Sequence, residues 1–445
     1  MEPVTHLLTG ACLSRTGLNR RAAYATLTMV VAAEFPDIDT LWSLRGPIEG
    51  LQHHRGITHT FLGLPFEAAL IVAAVYGVHR WRVARADARE RAINAAIRRF
   101  AQYEERMRPA HARGGPAAVL MMPARQTSAT AARDARESLA ALSYPPLTVA
   151  PVRWGVLYVL ALVALLSHLL LDYTNNYGLR PFFPFNDHWY AASIVFIFDP
   201  WMFAMLLGAL IAPLLFGLVN AEVGAKKQPF RGRGWAIAAL IGIVSWWGLR
   251  TVEHERAIQM AASQSIAMPA MSAATEPAPQ TPASPSTVVP AEPAPIYLPV
   301  QRALASPDPL NPFRWSAAMD FGPVYQLAEI DTRNGMVSLG ETTYAKPARS
   351  AEVLAAEGSK LGRAYMDWSP MPILETTDPD TELATDTSAG PGKIVKIITF
   401  RDPRFMGGWM RDAGRSALMG TVGLDATDRV VRQTMDGHVE PHIPR

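Results

Sequence analysis

The sequence has little cysteine and little charge. Cys12 is its only cysteine among 445 residues, which excludes an internal disulfide, a thiolate metal site and a Cys-x-x-Cys redox motif. Charged residues make up 18% of the chain, against roughly 25% in soluble domains. This shortage disfavours an ordinary cytosolic protein. Any metal ion must be held by histidine, aspartate and glutamate.

What the sequence does have is long apolar runs. A membrane-spanning helix needs about 20 mainly apolar residues, because hydrocarbon offers the backbone no hydrogen-bond partners. The predicted spans are residues 60–79, 152–171, 200–220 and 235–252. Before them, residues 4–14 and 22–34 predict two shorter helices. We expect these to form a helical hairpin, which would return His6 and Asp37 to the same end.

The distribution of basic residues predicts the orientation in the membrane. The insertion at 80–151 holds thirteen arginines, and the loop at 221–234 is also basic, whereas the connection 172–199 contains only Arg180. By the positive-inside rule, the two basic segments are cytoplasmic and the 172–199 connection is on the outer side. The fourth span then delivers the C-terminal part outside a bacterial-type inner membrane.

The chain divides into three predicted parts. Residues 1–256 form a membrane-embedded helical domain, and residues 257–300 form a linker with nine prolines between Pro269 and Pro299. Residues 301–445 alternate strand-like runs with turn signals, which predicts a soluble extracytoplasmic domain of α+β or mainly β structure. The expected fold is thus mainly α, a polytopic membrane bundle of four spans plus an N-terminal hairpin, followed by that soluble domain.

Three polar clusters interrupt the apolar pattern, and the predicted topology places them near one membrane face. They are Asp37 with Asp39, the run from His53 to Thr60, and His168 with Asp172. Taken alone, the first two are equally well explained as helix caps or interfacial residues. His168 is harder to dismiss, because an imidazole inside an apolar helix needs a partner. Its spacing of four residues from Asp172 puts both side chains on one helix face.

Together the clusters favour a divalent cation. Histidine and aspartate without cysteine suit Zn²⁺ first, with Mn²⁺ or Fe as alternatives. An ion with one open position lowers the pKa of water and polarises an ester or phosphate. Asp37 or Asp39 would serve as ligand or general base. Arg55 would either hold an anionic group or anchor the chain at the interface, and Asp199 is either a ligand or a helix N-cap.

The order of these motifs resembles the YdjM-like family of membrane-bound metal-dependent hydrolases. The resemblance is carried by PDID at 36–39, HRGITH at 54–59 and HLLLD at 168–172, and it covers about residues 1–320. It implies an integral inner-membrane protein. It also implies a metal site formed by His6, Asp37, Asp39, His54, His59, His168 and Asp172.

The leading hypothesis is a metal-dependent hydrolase acting on an ester or phosphodiester of a lipid-like substrate, such as a phospholipid, at the outer face of the membrane. Asp37, Asp39 and Arg55 would be its catalytic residues. The alternative is a membrane scaffold or partner-binding protein whose His/Asp cluster is structural. A transporter is disfavoured because no inverted repeat is visible. Nucleic-acid binding is disfavoured because the arginine-rich insertion has few interleaved aromatic residues.

Overall fold

Nine α-helices, joined in part by 3₁₀ segments, make up about half of the described chain. A computed structural model describes residues 1–107, 151–222, 232–268, 295–379, 393–408 and 417–441. The helices in these residues are α1 Pro3–Arg15, α2 Ala25–Glu34, α3 Pro47–His53, α4 Leu64–Met107, α5 Trp154–Thr174, α6 Pro200–Glu222, α7 Arg233–Ala262, α8 Ala351–Glu357 and α9 Lys360–Trp368.

Three of these helices are long and apolar enough to cross a membrane. They are α5, the Pro200–Leu218 part of α6, and α7. A fourth candidate is the pair Pro47–His59 and Leu64–Arg99, which is bent by 86°. The described residues therefore offer three candidate spans, or four if the bent pair is one span, where the sequence predicts four.

The bend gives the first candidate span a different start from the predicted residue 60. Thr60 Oγ1 donates to the carbonyl of Ile57 at 2.8 Å and accepts from the backbone N–H of Gly63 at 2.9 Å. These local bonds close the 3₁₀ turn Ile57–His59 and cap the next helix instead of continuing one straight helix. Helix α4 then runs from Leu64 into the basic insertion as far as Met107. Residues 108–150 of that insertion lie outside the described chain.

The two N-terminal helices form the expected hairpin. With 13 and 10 residues, α1 and α2 are shorter than the roughly 20 residues of a span. They approach closely at Gly10, where a Cβ would lie 2.6 Å from the carbonyl oxygen of Met29 and 2.8 Å from Cβ of Ala33. The hairpin brings the start of α1 and the residues after α2 to one end of the bundle.

The core of the membrane part is built from small and aliphatic side chains. Helices α2, α4 and α5 share a buried cluster whose members include Met29, Ala32, Ala68, Ala161, Ala164 and Leu165. Alanine at these contacts lets helix backbones approach, which is how helices associate in lipid. Large side chains on the other helix faces, such as Leu170 and Leu214, are exposed. This outer surface suits contact with lipid.

The C-terminal part combines sheets with two short helices. Its strands are β1 Ser265–Met268, β2 Ile296–Pro299, β3 Arg302–Pro307, β4 Arg314–Asp320, β5 Val324–Asp331, β6 Met336–Ala345, β7 Ile373–Thr377, β8 Lys396–Arg401, β9 Gly420–Leu424, β10 Val430–Met435 and β11 His438–Val439. All pairings between these strands are antiparallel. They form the sheets β1-β2, β3-β4-β5-β6 and β11-β10-β9-β8-β7.

The start of the predicted linker is helical in the structure. Helix α7 continues past residue 256 to Ala262 because Ala257 and Ala261 are buried against a sheet cluster that includes Trp315. The pairing of β1 with β2 also shortens the predicted extended segment, because residues 265–268 and 296–299 form strands. Its remaining residues, 269–294, lie outside the described chain.

The C-terminal part packs against the connection that follows α5. Trp368 Nε1 donates to the carbonyl of Tyr177 at 3.2 Å, and a terminal nitrogen of Arg404 donates to the carbonyl of Asn176 at 2.9 Å. From α7, Arg250 donates to the carbonyl of Asp308 at 2.9 Å. The sheets therefore lie at the same end of the helices as the 172–199 connection.

Candidate metal centre

All seven predicted ligands lie at one end of the helical bundle. They are His6 in α1, Asp37 and Asp39 in the 3₁₀ segment Phe35–Leu44, His54 and His59 between α3 and α4, and His168 and Asp172 in α5. This is the end of the bundle at which the start of α1 and the residues after α2 lie together. Their use as metal ligands stays a prediction.

Four of these side chains direct their donor atoms at a common point. Nε2 of His59 lies 3.3 Å from Oδ1 of Asp37 and 3.3 Å from Oδ2 of Asp172. Nε2 of His168 lies 3.1 Å from that of His59 and 3.4 Å from Oδ2 of Asp172. All four ligand atoms are within 4.8 Å of one another. We call these residues the four-donor cluster.

The spacing of the four donors fits a metal ion. Metal bonds of roughly 2.0–2.2 Å place tetrahedral ligands about 3.3–3.6 Å apart. Measured from the two imidazole Nε2 atoms, the separations range from 3.1 Å between the imidazoles to 3.7 Å between His168 Nε2 and Asp37 Oδ1, and all four donors lie within 4.8 Å of one another. Two imidazoles and two carboxylates are also a donor set that zinc accepts. The cluster can therefore hold a metal ion, whose identity the geometry leaves open.

The orientation of the two imidazoles supports the same interpretation. Nδ1 of His168 lies 2.7 Å from the carbonyl oxygen of Ala33, which can only accept. His168 therefore donates from Nδ1, which leaves Nε2 as the ring nitrogen that faces the cluster. Nδ1 of His59 lies 3.2 Å from Oδ2 of Asp39, which orients that ring in the same way. Histidine ligands in proteins are typically held by such outer partners.

Asp39 lies behind the four-donor cluster, and its oxygens are occupied by protein groups. Oδ2 accepts from the backbone N–H of Arg55 at 2.7 Å and from Oγ1 of Thr58 at 3.1 Å. Its other oxygen lies 3.0 Å from Nδ1 of His54. Asp37, Asp39 and His54 nevertheless form a second group with donor atoms within 4.8 Å. The contacts favour Asp39 as an orienting residue over the predicted general base.

The electrostatic surroundings keep both acidic residues of the 3₁₀ segment ionised. Burial by itself would raise the pKa of Asp37, but hydrogen bonding to His59 and the charge of His168 hold the pKa below its ordinary value. Burial would likewise raise the pKa of Asp39, and hydrogen bonds with His54 and His59 lower it. Ionised carboxylates are the form that binds a cation.

His6 lies beside the four-donor cluster. Its ring stacks on that of His168 with centroids 3.8 Å apart, and its Nε2 lies 3.5 Å from Oδ1 of Asp172. The same carboxylate oxygen contacts the ammonium group of Met1. Within the described chain, neither ring nitrogen of His6 makes a hydrogen bond although the side chain is fully buried. Buried unsatisfied donors and acceptors are rare in proteins, so this histidine is a further candidate for a metal contact.

Protein groups hold most of the guanidinium of Arg55. Its terminal nitrogens donate to Oδ1 of Asp172 at 2.9 Å and to the carbonyl of Gly178 at 2.5 Å. Its guanidinium also lies over the ring of Tyr177. The backbone at Arg55 has a φ of 55°, an uncommon conformation for a residue other than glycine. The side chain is thus held in place to balance the buried charge of Asp172.

Asp199 and Asn175 have structural contacts that the sequence left open or missed. Asp199 accepts from the backbone N–H groups of Trp201 and Met202 at 3.0 Å each, so it caps α6 and does not join the cluster. Asn175, which sequence reasoning missed, accepts from Arg55 at 3.3 Å and donates to Asp172 at the same distance. Its position three residues after Asp172 is the sequence signal that could have identified it.

A large cavity lies beside the cluster, between the membrane part and the C-terminal part. It has a volume of about 1230 Å³ and is lined mainly by apolar side chains. His54 and Arg55 contribute polar groups to its wall, next to Asp39 and Asp172. The residues that contact Asp39 and Asp172 thus also line a space that suits an apolar molecule.

Comparison with known protein families gives the identity of the membrane part. A family model described as YdjM inner membrane protein matches residues 1–257. The chain belongs to this family. The match ends near the point where α7 meets the sheets, short of the 1–320 over which the motifs suggested a resemblance. No curated protein and no solved structure matches the chain significantly. Membership of the YdjM family, together with the apolar helices, supports a location in the membrane.

Proposed function

We propose that the protein is a membrane-bound metal-dependent hydrolase that cleaves an ester or phosphodiester bond of a lipid-like substrate at the outer face of the membrane. The observation that carries this proposal is the four-donor cluster. Its residues come from three separate segments, yet their ligand atoms lie within 4.8 Å. The adjacent apolar cavity supports a substrate with an apolar part.

Asp37, His59, His168 and Asp172 would hold the ion. When bound, a divalent ion would supply Lewis-acid chemistry and make water a better nucleophile at neutral pH. The protein's own contribution is positioning. Ala33 and Asp39 fix the two imidazoles, and Arg55 balances the charge of Asp172. Asp37 has the most accessible side chain of the four, at 10% exposure, so it is the residue that faces an incoming substrate.

The orientation of the site is part of the proposal. The C-terminal part contacts the 172–199 connection, which contains one arginine and which the charge distribution puts on the outer side. The same assignment makes the C-terminal domain extracytoplasmic. The site would then act on lipid in the outer leaflet of the inner membrane.

The test is metal content together with hydrolysis. Purified wild-type protein is expected to contain about one or more transition-metal ions per chain by mass spectrometry, and the His168→Ala variant is expected to lose them. His188→Ala is the matched control, because His188 is exposed and lies outside the cluster. Hydrolysis of phospholipid and carboxylic ester substrates should follow metal content across the three proteins. A fully folded wild-type preparation without metal would contradict the proposal.

One observation favours a structural role instead. Four protein donors at tetrahedral spacing are typical of closed structural metal sites, whereas catalytic zinc sites keep an open position. In that case the cluster would hold helices together in a membrane scaffold. The same preparations separate the two functions. A scaffold would bind metal and lose thermal stability in His168→Ala, yet show no hydrolysis of any ester or phosphodiester offered.

A further inference from the structure

The cavity beside the cluster has two walls of different origin. One wall comes from the membrane part and includes Leu51, His54 and Phe196. The other comes from the C-terminal part and includes Leu418 and Val439. The C-terminal residues lie beyond the matched family segment. The cavity is therefore completed by the part of the chain to which the family match assigns no role.

The size and lining of the cavity favour a long apolar occupant. Its volume of about 1230 Å³ exceeds the roughly 300–1,000 Å³ of pockets for drug-sized ligands. Its polar groups are few, and His54 and Arg55 stand beside the His/Asp cluster. A molecule with one reactive polar group and a long hydrocarbon chain matches this distribution.

The rim of the cavity lies where the chain enters the membrane. Phe198 and Pro200, at the start of candidate span α6, line it. Leu44 and Leu310, also in its wall, are 84% and 63% exposed. Trp201 donates from Nε1 to the carbonyl of Leu310 at 2.9 Å, and tryptophan is enriched at the level of lipid headgroups. The cavity is thus continuous with the lipid-facing surface.

One residue of the inner wall carries a buried hydrogen-bond donor without a partner among the described residues. Arg55 is 97% buried, since its relative exposure is 3%, and it lines the cavity. Its Nε–H has no acceptor among the described residues. A guanidinium N–H prefers an anionic oxygen. Phosphate at the head of a lipid supplies such an oxygen.

From these observations we infer that the cavity binds a hydrocarbon chain of a membrane phospholipid, with the C-terminal domain forming the wall that contacts this chain. The inference rests on the proposed function for the role of the lipid as substrate. The phosphate lies beside Arg55 and the His/Asp cluster, while the chain extends between Leu418 and Val439 and the membrane part. The C-terminal domain is then the part of the protein that determines which chains fit.

The test measures lipid binding directly. Phosphatidylglycerol with a pyrene-labelled acyl chain is titrated into the purified full-length protein in detergent. Wild type should bind it saturably at about one per chain. Val439→Glu, which puts a charge into the apolar wall, should raise the apparent Kd at least tenfold. Val430→Glu is the matched control on the neighbouring strand β10, where Val430 is similarly exposed but does not line the cavity, and it should stay within twofold of wild type.

Three results would overturn the inference: no saturable binding, equal affinity of the two glutamate variants, or competition by dihexanoyl phosphatidylglycerol or free phosphate as strong as by the long-chain lipid. If thermal melting shows that Val439→Glu is unfolded, Val439→Trp is used in its place. Tryptophan fills the cavity without adding charge. Metal content is measured in the same samples and should stay unchanged in all Val439 variants. A metal-free or inactive wild type that still binds the lipid would contradict the proposed function while leaving the binding site intact.

Discussion

His168 carries the most constrained side chain of the candidate centre. It is fully buried in an apolar helix, its Nδ1 bonds to the backbone of α2, and its Nε2 faces His59 and Asp172. The Nε2 atoms of His168 and His59 lie 3.1 Å apart and face the same two carboxylates, Asp37 and Asp172. The evidence for a metal site therefore lies in individual side chains, because their hydrogen-bonded partners orient the ligand atoms toward one another.

Asp39 should tune the metal affinity without being essential for binding. Asp39→Asn keeps the shape but removes the charge that orients His59 through Nδ1. Loss of such an outer partner typically weakens metal affinity by about 10–100-fold, which competition with a chelator of known affinity would measure. Asp428→Asn, at a half-buried position in a turn of the C-terminal part and outside the cluster, is the control. Complete loss of metal at saturating concentrations would instead make Asp39 a direct ligand.

Pairs of elements decide where these side chains lie. The hairpin of α1 and α2 places His6 next to His168, and the bend before α4 turns His59 inward where a straight helix would have carried it along the span. The hairpin depends on the close approach at Gly10. The precision of the site is thus a property of helix packing and of one capped turn.

Gly10→Ala should loosen the hairpin. The added Cβ would meet the backbone oxygen of Met29 at 2.6 Å, and backbone cannot move aside as a flexible side chain can. Overpacking of this kind costs about 1–3 kcal/mol, which thermal unfolding in detergent would detect as a lower midpoint. Gly208→Ala in α6 has nothing within 4 Å of its Cβ, so its midpoint should be unchanged. Equal unfolding midpoints for both variants would show that the close approach at Gly10 does not limit the stability of the hairpin.

Over the whole molecule, the C-terminal domain and the membrane part form a continuous core on one side of the helices. Ile48 and Leu51 of α3 belong to the same buried cluster as Trp368 and Phe405. The contact encloses the cavity beside the metal centre. Since both parts share one end of the bundle, the orientation of either fixes that of the other.

The single cysteine allows this orientation to be measured. Cys12 is fully buried, so it should not react with a membrane-impermeant maleimide applied to intact bacterial cells. Ser338→Cys, on an exposed position of β6, should be labelled if the C-terminal domain is extracytoplasmic. Ala86→Cys, in the basic part of α4, should be labelled only after the cells are opened. The reverse pattern would place the candidate site on the cytoplasmic face.

Local sequence patterns predicted much of the membrane part. The apolar runs at 152–171 and 235–252 lie within helices, because hydrocarbon leaves the backbone no other way to satisfy its hydrogen bonds. The pairing of His168 with Asp172 followed from helical spacing alone. The bend at Thr60 was missed because a capped turn depends on local hydrogen bonds such as the two made by Thr60 Oγ1 and not on hydropathy.

Sequence by itself therefore determined the helices, the residue types of the site and the family motifs, since these depend on neighbours within a few positions. Only the tertiary structure decided which oxygens and nitrogens face one another. Asp37 and His168 are 131 positions apart and meet through the packing of α2 on α5. It also decided that Arg55 balances Asp172 and that the C-terminal domain completes the cavity. Such contacts between distant segments arise from burial and shape, which no local pattern encodes.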